Sequence, residues 1–237
     1  MTATVAEPGT SSLHIYQDLL QGTDEWLQAR CGILTASVIG QLITPKTVKP
    51  ASNDYSRALT THLVAERITS HVEPVYISSD MERGNLDEPY ARDIYSEHYA
   101  TAHEVGFMVR EYGWGRIGYS PDGLVGDDGL IEIKSRRQKK HLATILADEV
   151  PLENMAQIQT GLLVSGRSWL DYISYCGGMP LYTKRVSPDP KWQTAILEAA
   201  REFENTAAVM IGNYRLATAG KPATKHIDHY LEPEIKF

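Results

Sequence analysis

Ile117-Gly-Tyr-Ser-Pro-Asp-Gly-Leu-Val-Gly-Asp-Asp-Gly-Leu-Ile-Glu-Ile-Lys-Ser-Arg-Arg137 reads as two short strands around a turn. Asp122 follows Pro121 at the end of the first apolar segment. Ten residues later Glu132 and Lys134 alternate with Ile131 and Ile133. Side chains two apart on a strand share a face, so Glu132 and Lys134 project together and the isoleucines face the other way. The turn-rich run Gly126-Asp127-Asp128-Gly129 can return the chain and bring Asp122 near Glu132. Two carboxylates and a lysine in one place suit a hard, oxygen-binding cation such as magnesium and a water to be activated. The same spacing also fits a surface hairpin with a salt-bridged Glu132 and Lys134.

Outward from this stretch, helical periodicity surrounds a strand-rich middle. Thr23 or Asp24 caps a helix that ends near Gly32, a short helix is expected over Thr35 to Leu42, and Ser52 or Asn53 caps a longer one through Arg67. Ser79 and Glu82 have capping-box spacing for the next helix, in which Pro89 marks a kink or a new first turn. Gly-punctuated alternation from Val105 to Ile133 predicts a three- or four-strand antiparallel set. Helices follow at Lys139 to Ala147 and Glu153 to Val164, then strands at Trp169 to Cys176 and Leu181 to Val186. In the last helix, Lys191 to Leu216, Trp192, Ile196, Ala199, Phe203, Ala207, Met210 and Tyr214 recur on one face. The fold class is α/β (α+β), a small mixed central β-sheet flanked by helices. Residues 1–12 read as a disordered tail, 13–217 as one domain and 218–237 as a polar C-terminal tail.

Composition bounds the function. The chain has 237 residues, 42% hydrophobic and 22% charged, which suits one globular domain. Its apolar runs are too short to span a bilayer, so no membrane association and an intracellular, cytoplasmic location are expected. Cys31 and Cys176 lie outside any zinc-type spacing. The net charge of -7 disfavours a uniformly basic coat for nucleic acid, but basic residues concentrate just after Lys134, at Arg136, Arg137, Lys139 and Lys140. Such a run is usually a solvated face, and beside a metal site it is also where a phosphate backbone would be held.

Other segments add chemistry. Arg30 at a helix end and Ser37 at the start of the next can bind a phosphate together, or simply form a capped corner. Glu88 is a helix carboxylate with apolar neighbours. Gln157, one turn before Gly161, lies on a face that permits close approach by a backbone or a ligand.

The ordered motifs Arg-x-Gly-x-x-Thr-Ala-Ser, Gly-x-x-x-Glu, Ser-Pro-Asp-Gly-Leu, Glu-x-Lys and Met-Ala-Gln-x-Gln, from about Gly22 to Arg215, resemble the phage lambda exonuclease and YqaJ-like viral recombinase family. That family lies within the PD-(D/E)xK nuclease superfamily, so the resemblance implies a restriction-endonuclease-like core. It implies that Asp122, Glu132 and the main-chain carbonyl of Ile133 hold a magnesium ion, with manganese able to substitute, and that Glu88 helps hold a second ion. Lys134 would position or deprotonate the attacking water, and Gln157 would orient the lysine or the water. Arg30, Ser37 and Ser120 would hold the 5'-terminal phosphate. The implied activity is 5'-to-3' digestion of linear duplex DNA from its ends, leaving 3' single strands for a single-strand annealing protein. The implied context is phage-type recombination in a bacterial host, and the implied assembly a homo-oligomer such as a toroidal trimer. A nuclease with another end or strand preference, including an endonuclease, and a non-catalytic DNA-end binding module fit the same motifs less fully.

Overall fold

The computed structural model describes residues 11–74 and 78–227. Its strands are shared between two main sheets, where the sequence suggests a single one. The first, in the order β1-β6-β7-β2, contains Ser12–Tyr16 (β1), Leu34–Thr35 (β2), Phe107–Tyr112 (β6) and Gly115–Tyr119 (β7). The second, in the order β11-β10-β9-β8-β5, contains Ala102–His103 (β5), Gly123–Val125 (β8), Gly129–Ser135 (β9), Trp169–Tyr175 (β10) and Tyr182–Val186 (β11). A ribbon of Ile43–Thr44 (β3) and Lys49–Pro50 (β4) completes the strands.

The helices are Asp24–Arg30 (α1), Asp54–Thr69 (α2), Ser79–His98 (α3), Gln138–Ala147 (α4), Leu152–Ser165 (α5) and Pro190–Thr218 (α6). Caps set most of their starts. Thr23 accepts from the Trp26 N–H, and Asn53 and Ser56 form a reciprocal capping box. Asp189 caps α6 with Pro190 at its first position. The cap of α3 is Ser78 rather than Ser79. Pro89 lies inside this one continuous helix, where its missing N–H leaves the Asn85 carbonyl without the usual intrahelical donor.

Two further expectations change. Residues 35–42 are not a helix: Leu34–Thr35 pairs parallel with β7 at Ile117–Gly118, and only Ile39–Leu42 coils, as one 3-10 turn. The four-strand antiparallel set is divided, because the β6-β7 hairpin lies in the first sheet and the β8-β9 hairpin in the second. The expected N-terminal tail falls mostly outside the described residues, with Ser12 already paired to Glu111 in β1. At the other end, 219–227 has no regular structure and 228–237 lies outside the described residues.

Burial follows the alternation of β9. Leu130 joins the main core with Ile158 and Leu162 of α5 and with Trp192, Ile196 and Phe203 of α6. Ile131 and Ile133 turn to the opposite face and pack with Ala91 and Tyr95 of α3, Val125 and Ile173. Strand β9 is paired antiparallel to β8 and parallel to β10, so it is interior to its sheet and holds its register from both sides. The turn between β8 and β9 places Gly126 at φ 51°. Arg167 closes it, donating to the carbonyls of Gly126 (2.9 Å) and Gly129 (2.7 Å).

Candidate functional site

The β8-β9 hairpin brings Asp122 to β9. One Asp122 carboxylate oxygen accepts from the Ile133 N–H at 2.6 Å. Glu132 and Lys134 share a face, with Lys134 Nζ donating to Glu132 Oε1 at 2.6 Å. Gln157 of α5 donates to the same oxygen at 2.6 Å. Tyr119 donates to Glu132 Oε2 at 3.3 Å. Glu132 is 1% exposed, so these donors satisfy a carboxylate that water does not reach.

The close approach foreseen near Gln157 is made by a side chain. A Cβ on Gly161 would stand 2.7 Å from the Tyr119 ring, so the glycine leaves room for the phenol that reaches Glu132. The second glutamine of the motif has a structural role. Gln159 is fully buried, donates to the Ser187 carbonyl and accepts from the Asp189 N–H, fixing the start of α6.

Glu88 faces this group from α3 through Arg92, which sequence reading did not single out. Arg92 pairs with Glu88 and Glu104 and donates through Nε to the Asp122 carbonyl at 2.8 Å. The i,i+4 spacing of Glu88 and Arg92 on one helix was the available signal.

The electrostatics are those of crowded acids. Burial, then the negative charges of Glu132 and Glu88, push the Asp122 carboxyl well above its ordinary range. Burial raises Glu88 too; Arg92 opposes the rise and Glu132 adds to it. For Lys134, burial works against the ammonium, but Glu132 and Asp122 more than offset it and its pKa rises. Among the described residues, no three His, Cys, Asp or Glu side chains are gathered into a ready-made metal cage. The geometry gives the reason: each acid is turned to a donor of the protein, Asp122 to Ile133, Glu132 to Lys134 and Gln157, and Glu88 to Arg92.

Arg30, Ser37 and Ser120 form a second group, connected through two residues sequence reading missed. Arg30 donates weakly to Thr35 Oγ1 (3.4 Å), which is within hydrogen-bond distance of Ser37 Oγ (3.1 Å). The Arg30 guanidinium lies over the Trp26 ring, 4.2 Å from its centroid, and Trp26 Nε1 donates to Ser120 Oγ at 3.1 Å. Burial lowers the Arg30 pKa, with Glu66 opposing. Thr35 was visible as the threonine of the Arg-x-Gly-x-x-Thr-Ala-Ser motif; nothing local marked Trp26 beyond its place in α1.

The basic run is not one uniform face. Arg136 is mostly buried and held by Asn154 (2.6 Å) and Glu153 (3.3 Å), and Arg137 pairs with Asp80 (2.8 Å). Lys140 reaches Glu153 at 3.2 Å, and Lys139 is exposed.

The model of the YqaJ-like viral recombinase domain matches residues 25–168, more than half of the chain. The chain belongs to this family. Among solved structures, the YqaJ-like fold seen here is similar to an alkaline exonuclease, LHK-Exo, from Laribacter hongkongensis. That match has 30% identity and a TM-score of 0.74, covering 83% of this chain and 98% of that one. The same exonuclease in complex with dAMP matches at 29% identity and a TM-score of 0.72, with the same coverage. A phage related exonuclease from Haemophilus somnus 129PT shares the fold at 12% identity and a TM-score of 0.55, covering 76% of this chain and 96% of that one. No curated protein matches the sequence. The family match spans α1 to the end of α5, and so contains every site residue named above.

Proposed function

We propose that this YqaJ-family chain is a divalent-metal-dependent 5'-to-3' exonuclease that digests linear duplex DNA and leaves 3' single strands for a single-strand annealing protein. The observation that carries the reading is Glu132, buried between Lys134 and Gln157 with Asp122 and Glu88 alongside. The donor set fits a hard cation: carboxylates raised first by burial and then by one another's charge, with Lys134 and Arg92 as the nearby counter-charges. Asp122, Glu132 and the Ile133 carbonyl would hold magnesium or manganese, and Glu88 would help hold a second ion. Such ions would supply charge stabilisation for the oxygens entering and leaving the phosphodiester.

The residues themselves supply position and proton control. With the acids neutralised, burial dominates at Lys134, whose Nζ then becomes able to take a proton from an attacking water. Gln157 fixes one Glu132 oxygen from α5, and Tyr119 fixes the other from β7. Arg30, with no carboxylate paired to it among the described residues, supports a 5'-phosphate anchor together with Thr35, Ser37 and Ser120. Lys139 and Lys140 present exposed charge in the first turn of α4, just after β9. A ring trimer and a place in phage-type recombination inside a bacterial host complete the proposal. No described helix is long and apolar enough to cross a membrane.

Linear duplexes with 5'-phosphate or 5'-hydroxyl ends, with and without magnesium, test this reading. Mononucleotides are expected only with magnesium and faster from the phosphorylated end, a preference that Arg30→Gln removes. Covalently closed circles should stay intact. Absence of mononucleotide release, with Lys134→Ala indistinguishable from wild type, would overturn the reading. Light scattering reads the assembly as one chain mass or three.

A further inference from the structure

The parallel strands β9 and β10 end side by side, Ser135 opposite Tyr175, and the Arg136 N–H donates to the Tyr175 carbonyl at 2.8 Å. Beyond these strand ends lies a cavity of about 420 Å³. Its lining carries Arg83, Arg136, Arg137 and Lys139 against a single acid, Asp87. The space outside the carboxyl ends of parallel strands is where α/β proteins commonly take ligands.

Three features point to an anion. Helix α4, ten residues long, opens at the cavity with no side-chain cap and no acid in its first turn, so its leading N–H groups and dipole favour negative charge. Arg136 has a buried Nε with no partner, although its terminal nitrogens are held by Asn154 and Glu153. That N–H is closed off from solvent, so it is the charge of Arg136 that an anion in the cavity would meet. The carboxylates that pair with the lining cations, Asp80 and Glu153, are 57% and 56% exposed and stand outside the lining. Lys139 enters no ion pair among the described residues.

An aromatic side chain flanks this hollow. Arg83, Asp87 and Tyr90 fall on one flank of α3, and Tyr90 is 65% exposed. Tyr175, at the end of β10, lies near both: burial first, then Asp87 and Tyr90, push its phenol up. A cationic hollow beside an open ring is the pairing that holds single-stranded nucleic acid, backbone in the groove and base on the aromatic. A duplex would bring phosphates but keep its bases stacked away from the ring.

We propose that this cavity binds a phosphodiester of a single DNA strand, with a neighbouring base stacked on Tyr90. The site rests on the nuclease reading and adds to it a strand grip separate from the carboxylates. Glu132 and Lys134 use one face of β9, whereas Ser135 turns to the other, bonding Asp87 at 2.6 Å and Arg83 at 3.0 Å.

The test is anisotropy of a labelled single-stranded oligonucleotide with a 5'-hydroxyl, in chelator, so that neither hydrolysis nor the 5'-phosphate anchor contributes. Tyr90→Ala should weaken binding about tenfold, in the range that loss of one stacked base produces. Lys139→Gln should lower the slope of log affinity against log salt by about 0.7. Both side chains are exposed, so both variants fold. Wild-type affinity in both variants overturns the proposal. So does a Lys139→Gln loss shared equally by duplex and single strand with no effect of Tyr90→Ala, which would mark a duplex backbone track. If wild type cuts no duplex under magnesium yet the Tyr90-dependent binding persists, the nuclease reading fails and the site stands.

Discussion

Lys134→Ala separates the structural task of this lysine from the chemical one proposed for it. Its Nζ lies 2.6 Å from Glu132, which is 1% exposed, while the lysine side chain is 25% exposed. Breaking a buried ion pair costs about 3–5 kcal/mol. Partial exposure of Lys134 and the surviving bonds from Gln157 and Tyr119 place this case near the lower end, about 3 kcal/mol. In a chain of this size each kcal/mol moves the melting temperature by about 2–4 °C, so the variant should melt about 6–12 °C below wild type in chelator. Magnesium at a hundredfold excess over the wild-type dissociation constant adds about 2.7 kcal/mol to wild type. It should add more to the variant, whose acids have lost their counter-charge. The assay is thermal unfolding of both proteins with and without magnesium, alongside digestion of linear duplex. Coincident melting in chelator, or a larger magnesium gain in wild type, would refute the electrostatic account of the site.

Three further outcomes follow from the same geometry. Gln157→Ala removes a bond to a charged oxygen, worth about 1.5–3 kcal/mol, and should slow single-turnover hydrolysis by about 10- to 100-fold; a change under twofold would remove Gln157 from the mechanism. Arg67→Ala strips a bidentate partner from Glu204 (2.6 and 2.8 Å) and a donor from the Gly32 carbonyl (2.7 Å). It should cost about 3 kcal/mol in chemical denaturation, Arg67 being a quarter exposed and Glu204 15% exposed. For pH, Asp122 and Glu88 have folded pKa values above their unfolded ones, so the folded state binds more protons. Metal-free stability should therefore fall as pH rises from the ordinary carboxylate range through those raised values, and unfolding at a series of pH values in chelator reads this slope.

Much of the site could be read locally because its signals are local. Alternation alone puts Glu132 and Lys134 on one face of β9, and the Gly126 turn brings Asp122 back to it. The amphipathic face of α6 was legible for the same reason, although Tyr214, near its end, is exposed. Sheet membership was not legible. It depends on the parallel pairing of β9 with β10, across α4 and α5, and no window of residues encodes that partner. Thr35 belongs to a two-residue strand, too short for any period to show. Strand β1, mostly exposed and adjoining a polar segment, carried no burial pattern that would distinguish it from a tail. Nothing local marked Tyr119 or Trp26, because their polar ends meet Glu132 and Ser120 only in three dimensions.

The division of the opening stretch between two sheets has a mechanical meaning. Three residues, Ser120 to Asp122, carry the chain from β7 to β8. The first of them bonds Trp26 in the Arg30 group and the last bonds Ile133 beside the acids. On the proposed reading, the span between where a DNA end is held and where its bond is broken is set by covalent geometry, clamped at both ends by paired strands. If so, the length of each bite is a property of the backbone, and one residue inserted beside Pro121 would move the jaws relative to the anvil while leaving every proposed catalytic side chain in the sequence.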